Sequence, residues 1–123
     1  MPSVWIVDDD DEMVHAVGLM LKLLECKVES FRSARFAVEA LRTGKRPDAF
    51  LLDINMPEVS GIDMLEYLRR NEGFKDIPVV MLSSETTDVQ VDEAMALGAN
   101  AYVFKPVSIE ELEEALKKVL RRR

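Results

Sequence analysis

The sequence predicts an α/β protein, a doubly wound five-stranded parallel sheet with helices on both faces. Three observations predict it. Short strand-like segments recur five times, each followed by apolar residues at helical spacing. Several of these segments, such as those at 49–52 and 78–82, are almost wholly apolar, as strands covered on both faces must be. The length, 123 residues, suits one domain spanning 1–123, large enough to bury a core without staples.

Taken in order, the strands are expected at 3–7, 27–31, 49–52, 78–82 and 101–104. The first helix is expected from about 11 to 25, because Val14, Val17, Leu21 and Leu24 fall on one face. The second runs from about 34 to 43, with Gly44 as its stop. The third spans about 60–71 and buries Met64, Leu65 and Leu68. The fourth starts near Thr87, a hydroxyl cap with Gln90 three residues on, and ends at Gly98. The fifth begins at Ser108, where Glu111 completes a capping box and Ile109, Leu112, Leu116 and Val119 form the apolar stripe. Arg121, Arg122 and Arg123 suit a helix C-terminus. Right-handed crossovers leave few topologies, and the common flavodoxin-like order is 2-1-3-4-5. Ligands in such a sheet bind at the carboxyl ends of the strands.

Composition narrows the function. Sixteen basic against 23 acidic residues give a net charge of −7, with a pI near 4.8. Nucleic-acid phosphates repel such a surface, so no direct nucleic-acid binding by this chain is expected. Cys26 is the one cysteine, which excludes an internal disulfide and fits a reducing, cytoplasmic compartment. No signal peptide is read at the start. The longest apolar stretch, 16–24, is broken by Lys22 and too short to span a bilayer, so no membrane partner is expected.

The chemistry gathers at the strand ends. Asp8, Asp9, Asp10, Asp11 and Glu12 follow the first strand, and Asp53 follows the third. Ser83, Ser84 and Glu85 follow the fourth, and Lys105-Pro106 follows the fifth. Asp8, Asp9 and Asp53 therefore converge from strands expected to be neighbours. Two like charges ~4 Å apart repel by about 4 kcal/mol at an effective dielectric of ~20. A hard divalent cation relieves that repulsion. Mg²⁺ suits the task because it takes one or two carboxylates, keeps waters and accepts phosphate oxygens. Lys105 supplies a positive charge for a phosphoryl group, Ser83 a hydrogen-bond donor, and a carboxylate serves as nucleophile to form an aspartyl phosphate.

With these residues in place, the sequence resembles the receiver domain of bacterial two-component response regulators, chemotaxis receivers among them. Val7-Asp8-Asp9 matches the acidic pair. Leu51-Leu52-Asp53-Ile54-Asn55-Met56-Pro57, followed by Gly61, matches the phosphoacceptor segment. Met81-Leu82-Ser83-Ser84 matches the hydroxyl segment, and Tyr102-Val103-Phe104-Lys105-Pro106 completes the pattern. Ser83 and Lys105 stand 30 and 52 residues after Asp53, spacings close to those of the chemotaxis receivers.

The resemblance implies a phosphoprotein of phosphorelay signal transduction, not an enzyme acting on a separate substrate. Asp53 is its expected phosphorylation site, with Ser83 and Lys105 completing the catalytic set. It implies Mg²⁺ (or Mn²⁺), with Asp9 a direct ligand, Asp8 acting through water, and Asp53 and the Asn55 carbonyl as further ligands. Ser83 and Tyr102 are the implied switch residues, and the Lys105–Pro106 bond is expected to be cis. Implied partners are a sensor histidine kinase or phosphotransfer protein, and an output domain or target protein. The surface of the fourth helix, fifth strand and fifth helix is expected to switch on phosphorylation. Monomer and homodimer through that face both stay open.

Some residues depart from the pattern or invite plainer readings. Ser84 stands where the family often has alanine, and Val107 where phenylalanine is frequent. Asp10 reads as a helix cap or solvated acid. Asn55 and Glu85 read equally as surface polar groups or as neighbours of the route by which water attacks the phosphoryl group. His15 reads as surface or packing, Cys26 as a small buried filler, and Trp5 as core and a fluorescent metal probe. Rival functions are a Mg²⁺-dependent aspartyl-phosphate phosphohydrolase, a flavin binder and a phosphorylation-independent interaction module. The first generally carries a second acid where Asn55 stands, and the second needs a phosphate-cradling loop where the acidic run lies.

Overall fold

In a computed structural model that describes residues 1–84 and 87–120, the chain alternates strand and helix from β1 (Ser3–Val7) to α5 (Ile109–Leu120). Between them lie α1 (Asp11–Leu23), β2 (Lys27–Phe31), α2 (Ala34–Arg42), β3 (Ala49–Asp53), α3 (Gly61–Arg70), β4 (Val79–Ser83), α4 (Asp88–Ala96) and β5 (Ala101–Phe104). All strand pairs are parallel, and the order is β2-β1-β3-β4-β5, as expected. β1 and β3 are neighbours there, so the chain reverses its direction of winding at the place where Asp8 and Asp53 emerge.

Strand alternation divides the core in two. Trp5, Phe50, Leu52, Val79 and Met81 face one way and pack with Ala37 and Leu41 of α2, Met64, Leu65 and Leu68 of α3, and Ala94 of α4. Ile6, Leu51, Val80, Leu82 and Val103 face the other way and pack with Val17 and Leu21 of α1 and Leu112 and Leu116 of α5. Each face is thus closed by helices, and β3 and β4 have every residue buried. β2 is the exception to the apolar pattern. It lies at the sheet edge, and Lys27, Glu29 and Ser30 are exposed.

Several boundaries shift for identifiable reasons. β4 starts at Val79, not Pro78: proline has no N–H for the ladder, although its carbonyl accepts from Phe50 at 2.9 Å. β3 runs one residue further than expected, so Asp53 belongs to the strand. α1 stops at Leu23, because Glu25 takes a left-handed conformation with φ of 64°. Asp10 caps α1, accepting from the N–H groups of Glu12 and Met13. Ser60 and Asp63 form a full capping box on α3. Ser108 Oγ accepts from the Glu111 N–H at 3.2 Å, one half of the capping box expected for α5, while the Glu111 carboxylate accepts from the Ser108 hydroxyl at 3.2 Å. Arg121, Arg122, Arg123 and Glu85 lie outside the described residues.

Trp5 and Cys26, read as core and filler, are buried, and of the two readings for His15 the structure takes the surface. Trp5 is buried against Phe31 and Phe50, with ring centroids 4.9 and 5.7 Å away. Cys26 is buried and His15 is exposed on α1. Among the described residues, no helix is long and apolar enough to cross a membrane.

Candidate functional site

The register that pairs Val7 with Leu52 carries Asp8 and Asp53 to the same sheet edge. Asp8 is fully buried, and its backbone N–H donates to the Phe31 carbonyl at 3.0 Å, which ties the acidic loop to the end of β2. Its carboxylate accepts from the Asp10 N–H at 3.0 Å, so Asp10 serves both to cap α1 and to fix Asp8. Asp53 is 3% exposed, and Asp9 lies at the surface. One carboxylate oxygen from each of Asp8, Asp9 and Asp53 lies within 4.8 Å of the others. Asp11, by contrast, turns away and pairs with Arg32.

Lys105 enters this cluster from the end of β5, after which the Lys105–Pro106 peptide is cis. Its Nζ donates to Asp53 Oδ1 at 2.9 Å and to Asp8 Oδ2 at 3.4 Å. One ammonium therefore faces two buried carboxylates. Burial raises the Asp53 pKa above its ordinary value; the Lys105 hydrogen bond opposes this, and the Asp8 charge adds to it. Burial lowers the Lys105 pKa, but the hydrogen bond and charge of Asp53 together with Asp8 outweigh it, so the net shift is upward. The ammonium stays charged, while one of the carboxylates is short of compensation.

The loop after β3 is held close by backbone contacts. Ile54 N–H donates to the Leu82 carbonyl at 3.0 Å, and Gly61 N–H to the Ile54 carbonyl at 2.9 Å. A Cβ on Gly61 would lie 2.2 Å from the Asp53 carbonyl oxygen, so only glycine lets α3 begin there. Asn55 is exposed on this loop, and its backbone N–H helps stabilise the Asp53 carboxylate.

Ser83 is fully buried at the end of β4, and Tyr102 is half-buried on the adjacent β5. Gln90, in the first turn of α4, joins them. Its Oε1 accepts from Tyr102 Oη at 2.9 Å and from Ser83 Oγ at 3.3 Å. The Gln90 backbone N–H does donate to Thr87 Oγ1, but the side chain points to the sheet. The sequence placed Gln90 only as half of a cap, and no local pattern signals that its side chain turns to the sheet. Ser84 is exposed.

The donor set fits a hard divalent cation such as Mg²⁺: three converging carboxylates, all oxygen, two of them buried and one open to solvent. Among the described residues every buried side-chain nitrogen or oxygen has a partner.

A carboxylate nest and an inward lysine thus sit at the switch point of a doubly wound parallel sheet, which defines an α/β protein with its charged residues gathered where the strands end. Residues 4–117 match the response regulator receiver domain, and the chain belongs to that family of two-component signalling domains. The transcriptional regulatory protein PrrA of Mycobacterium tuberculosis is 38% identical over 99% of this chain and 51% of its own length. The chemotaxis protein CheY1 of Helicobacter pylori is 32% identical, with 94% of each chain covered. The structure of chemotaxis protein CheY4 from Vibrio cholerae superposes with a TM-score of 0.88 at 31% identity, covering 98% of this chain and 99% of that one. The chain spans about half the length of the transcriptional regulators that it matches.

Proposed function

We propose that Asp53 is the phosphoacceptor of a single receiver domain over 1–123 and that its modification switches the surface of α4, β5 and α5. The observation that carries this reading is Asp53 itself, buried, hydrogen-bonded to Lys105, and within 4.8 Å of two further carboxylates through one oxygen each. Asp8, Asp9, Asp53 and the Asn55 carbonyl would hold Mg²⁺ or Mn²⁺, which screens charge between the carboxylates and the incoming phosphoryl oxygens. The donor is a phosphohistidine on a sensor kinase or phosphotransfer protein, or a small acyl phosphate. A carboxylate oxygen of Asp53 bonds to phosphorus as the donor's P–N or P–O bond breaks, and the electron pair leaves with the donor. Lys105 pairs with a phosphoryl oxygen, and Ser83 donates to another. Little covalent help is needed from the protein; positioning and charge neutralisation do most of the work.

The switch reading is supported by how weakly α4 is held. Ala94 is its one buried residue, while Val89 is 79% exposed. Such an element shifts at low free-energy cost. An output domain or target protein reading that surface, and a cytoplasmic setting, belong to the same proposal. The phosphohydrolase alternative lacks its second acid, since Asn55 stands in that place.

The test is intact mass after incubation with acetyl phosphate and Mg²⁺, followed by peptide mapping. One phosphoryl group on Asp53, absent from Asp53→Asn and from samples with chelator, is expected. An Asp53→Asn protein that still gained the group on the same peptide would overturn the assignment.

A further inference from the structure

Asp8, Asp9, Asp53 and Lys105 account for the charge in the site, but not for the two hydroxyls that converge on one amide oxygen outside it. An amide oxygen has two lone pairs, and Gln90 Oε1 uses them on Tyr102 Oη at 2.9 Å and Ser83 Oγ at 3.3 Å. Ser83 has a single hydroxyl proton. It can point to Gln90 or to a phosphoryl oxygen, and the charged acceptor makes the stronger bond. Tyr102 sits one strand over and shares the same oxygen, its ring 5.2 Å from that of Phe104. Gln90 itself stands on a helix whose first turn is otherwise exposed: Thr87, Asp88 and Val89 all face solvent.

We infer that Gln90 is a resting-state latch, a positioning residue that ties Tyr102 and the first turn of α4 to the Ser83 hydroxyl until that proton is drawn to a phosphoryl group. The latch deepens the phosphoacceptor reading and rests on it only for the trigger; the resting contact stands by itself. With the Ser83 proton withdrawn, Gln90 keeps one partner of two, and Tyr102 and α4 shift together. The signal thus reaches the outer surface through a third side chain and not by direct contact of Ser83 with Tyr102.

The experiment compares the wild-type chain, Gln90→Met and Gln90→Glu, each carrying 3-fluorotyrosine, with Tyr67→Phe to assign the Tyr102 signal. Methionine keeps the length and bulk but accepts poorly; glutamate keeps the acceptor. In the unmodified proteins, a soluble gadolinium chelate reports how far the Tyr102 fluorine is exposed. Gln90→Met is expected to raise the ratio of exposed to tethered Tyr102 by about fivefold, the loss of one net hydrogen bond. Gln90→Glu is expected to match wild type. An unchanged Tyr102 signal in Gln90→Met, or an equal change in both variants, would overturn the latch. Mass measured on the same samples separates the two claims. Wild type that takes no phosphoryl group sinks the acceptor assignment, while the comparison of unmodified variants still decides Gln90.

Discussion

The Lys105 ammonium lies 2.9 Å from Asp53 Oδ1, so the proposed acceptor begins as half of a buried ion pair. Asp8, 3.4 Å from the same nitrogen, competes for it. Breaking a buried pair leaves uncompensated charge, at a cost of about 3–5 kcal/mol. Lys105→Met is therefore expected to lose about 3 kcal/mol of stability at neutral pH in chelator, read by urea unfolding. Adding Asp53→Asn to that variant is expected to restore part of the loss, because only one buried carboxylate then remains beside the gap. Asp53→Asn alone is expected to raise the urea midpoint, since burial and the Asp8 charge disfavour the ionised Asp53.

A bound divalent ion should stabilise the fold by mass action. At a concentration 100 times the dissociation constant the gain is about 2.7 kcal/mol. Asp9 is the exposed member of the cluster, so Asp9→Asn is expected to melt near wild type in chelator and to lose most of the Mg²⁺-dependent rise. Thermal melts with and without Mg²⁺ read the difference. An undiminished rise in Asp9→Asn would remove that residue from the ligand set.

Gly61 is held against the backbone of the acceptor itself. A Cβ there would meet the Asp53 carbonyl oxygen at 2.2 Å and Ile54 Cα at 2.8 Å, both backbone atoms that a side-chain rotation does not clear. Gly61→Ala is expected to cost about 1–3 kcal/mol, as overpacking does. It should also slow phosphorylation, because relief requires moving the loop that carries Asp53. Gly18, with nothing within 4 Å of an added Cβ, is the control.

The buried Cys26 thiol supplies a pH dependence outside the site. Burial raises its pKa above the ordinary 9.0, and the nearby N-terminal ammonium opposes this in part. Above pH 9 the unfolded chain releases this proton while the folded chain keeps it. The unfolded state then binds fewer protons, so stability falls as pH rises from 9.0 through the folded pKa. Cys26→Ala is expected to show a flatter stability profile over that window. Alkylation of the native thiol at pH 8 should likewise run far slower than in denaturant, measured by mass.

Much of the site was legible because its parts sit at fixed places in a repeating pattern. Asp8, Asp9, Asp53, Ser83 and Lys105 each come at or next to the end of an apolar strand-like segment, and a parallel sheet brings such ends to one edge. Asp10, one residue ahead of a helix start, read as a cap or a solvated acid, and the structure takes the cap. Gln90 was not legible, because a glutamine three residues after a threonine satisfies the cap pattern whichever way its side chain turns. The tight fit of Gly61 was equally hidden: it depends on the approach of α3 to the Asp53 carbonyl.

Strand and helix order, the two-sided core and the set of acids at one edge follow from the sequence by itself, since periodicity and chain direction are properties of the chain. Only the folded structure decided that a single lysine would be shared between Asp8 and Asp53, and that one amide oxygen would take both hydroxyls. Those are contacts between side chains from different strands and a helix. Their lengths are set by packing across the sheet, which local pattern does not encode.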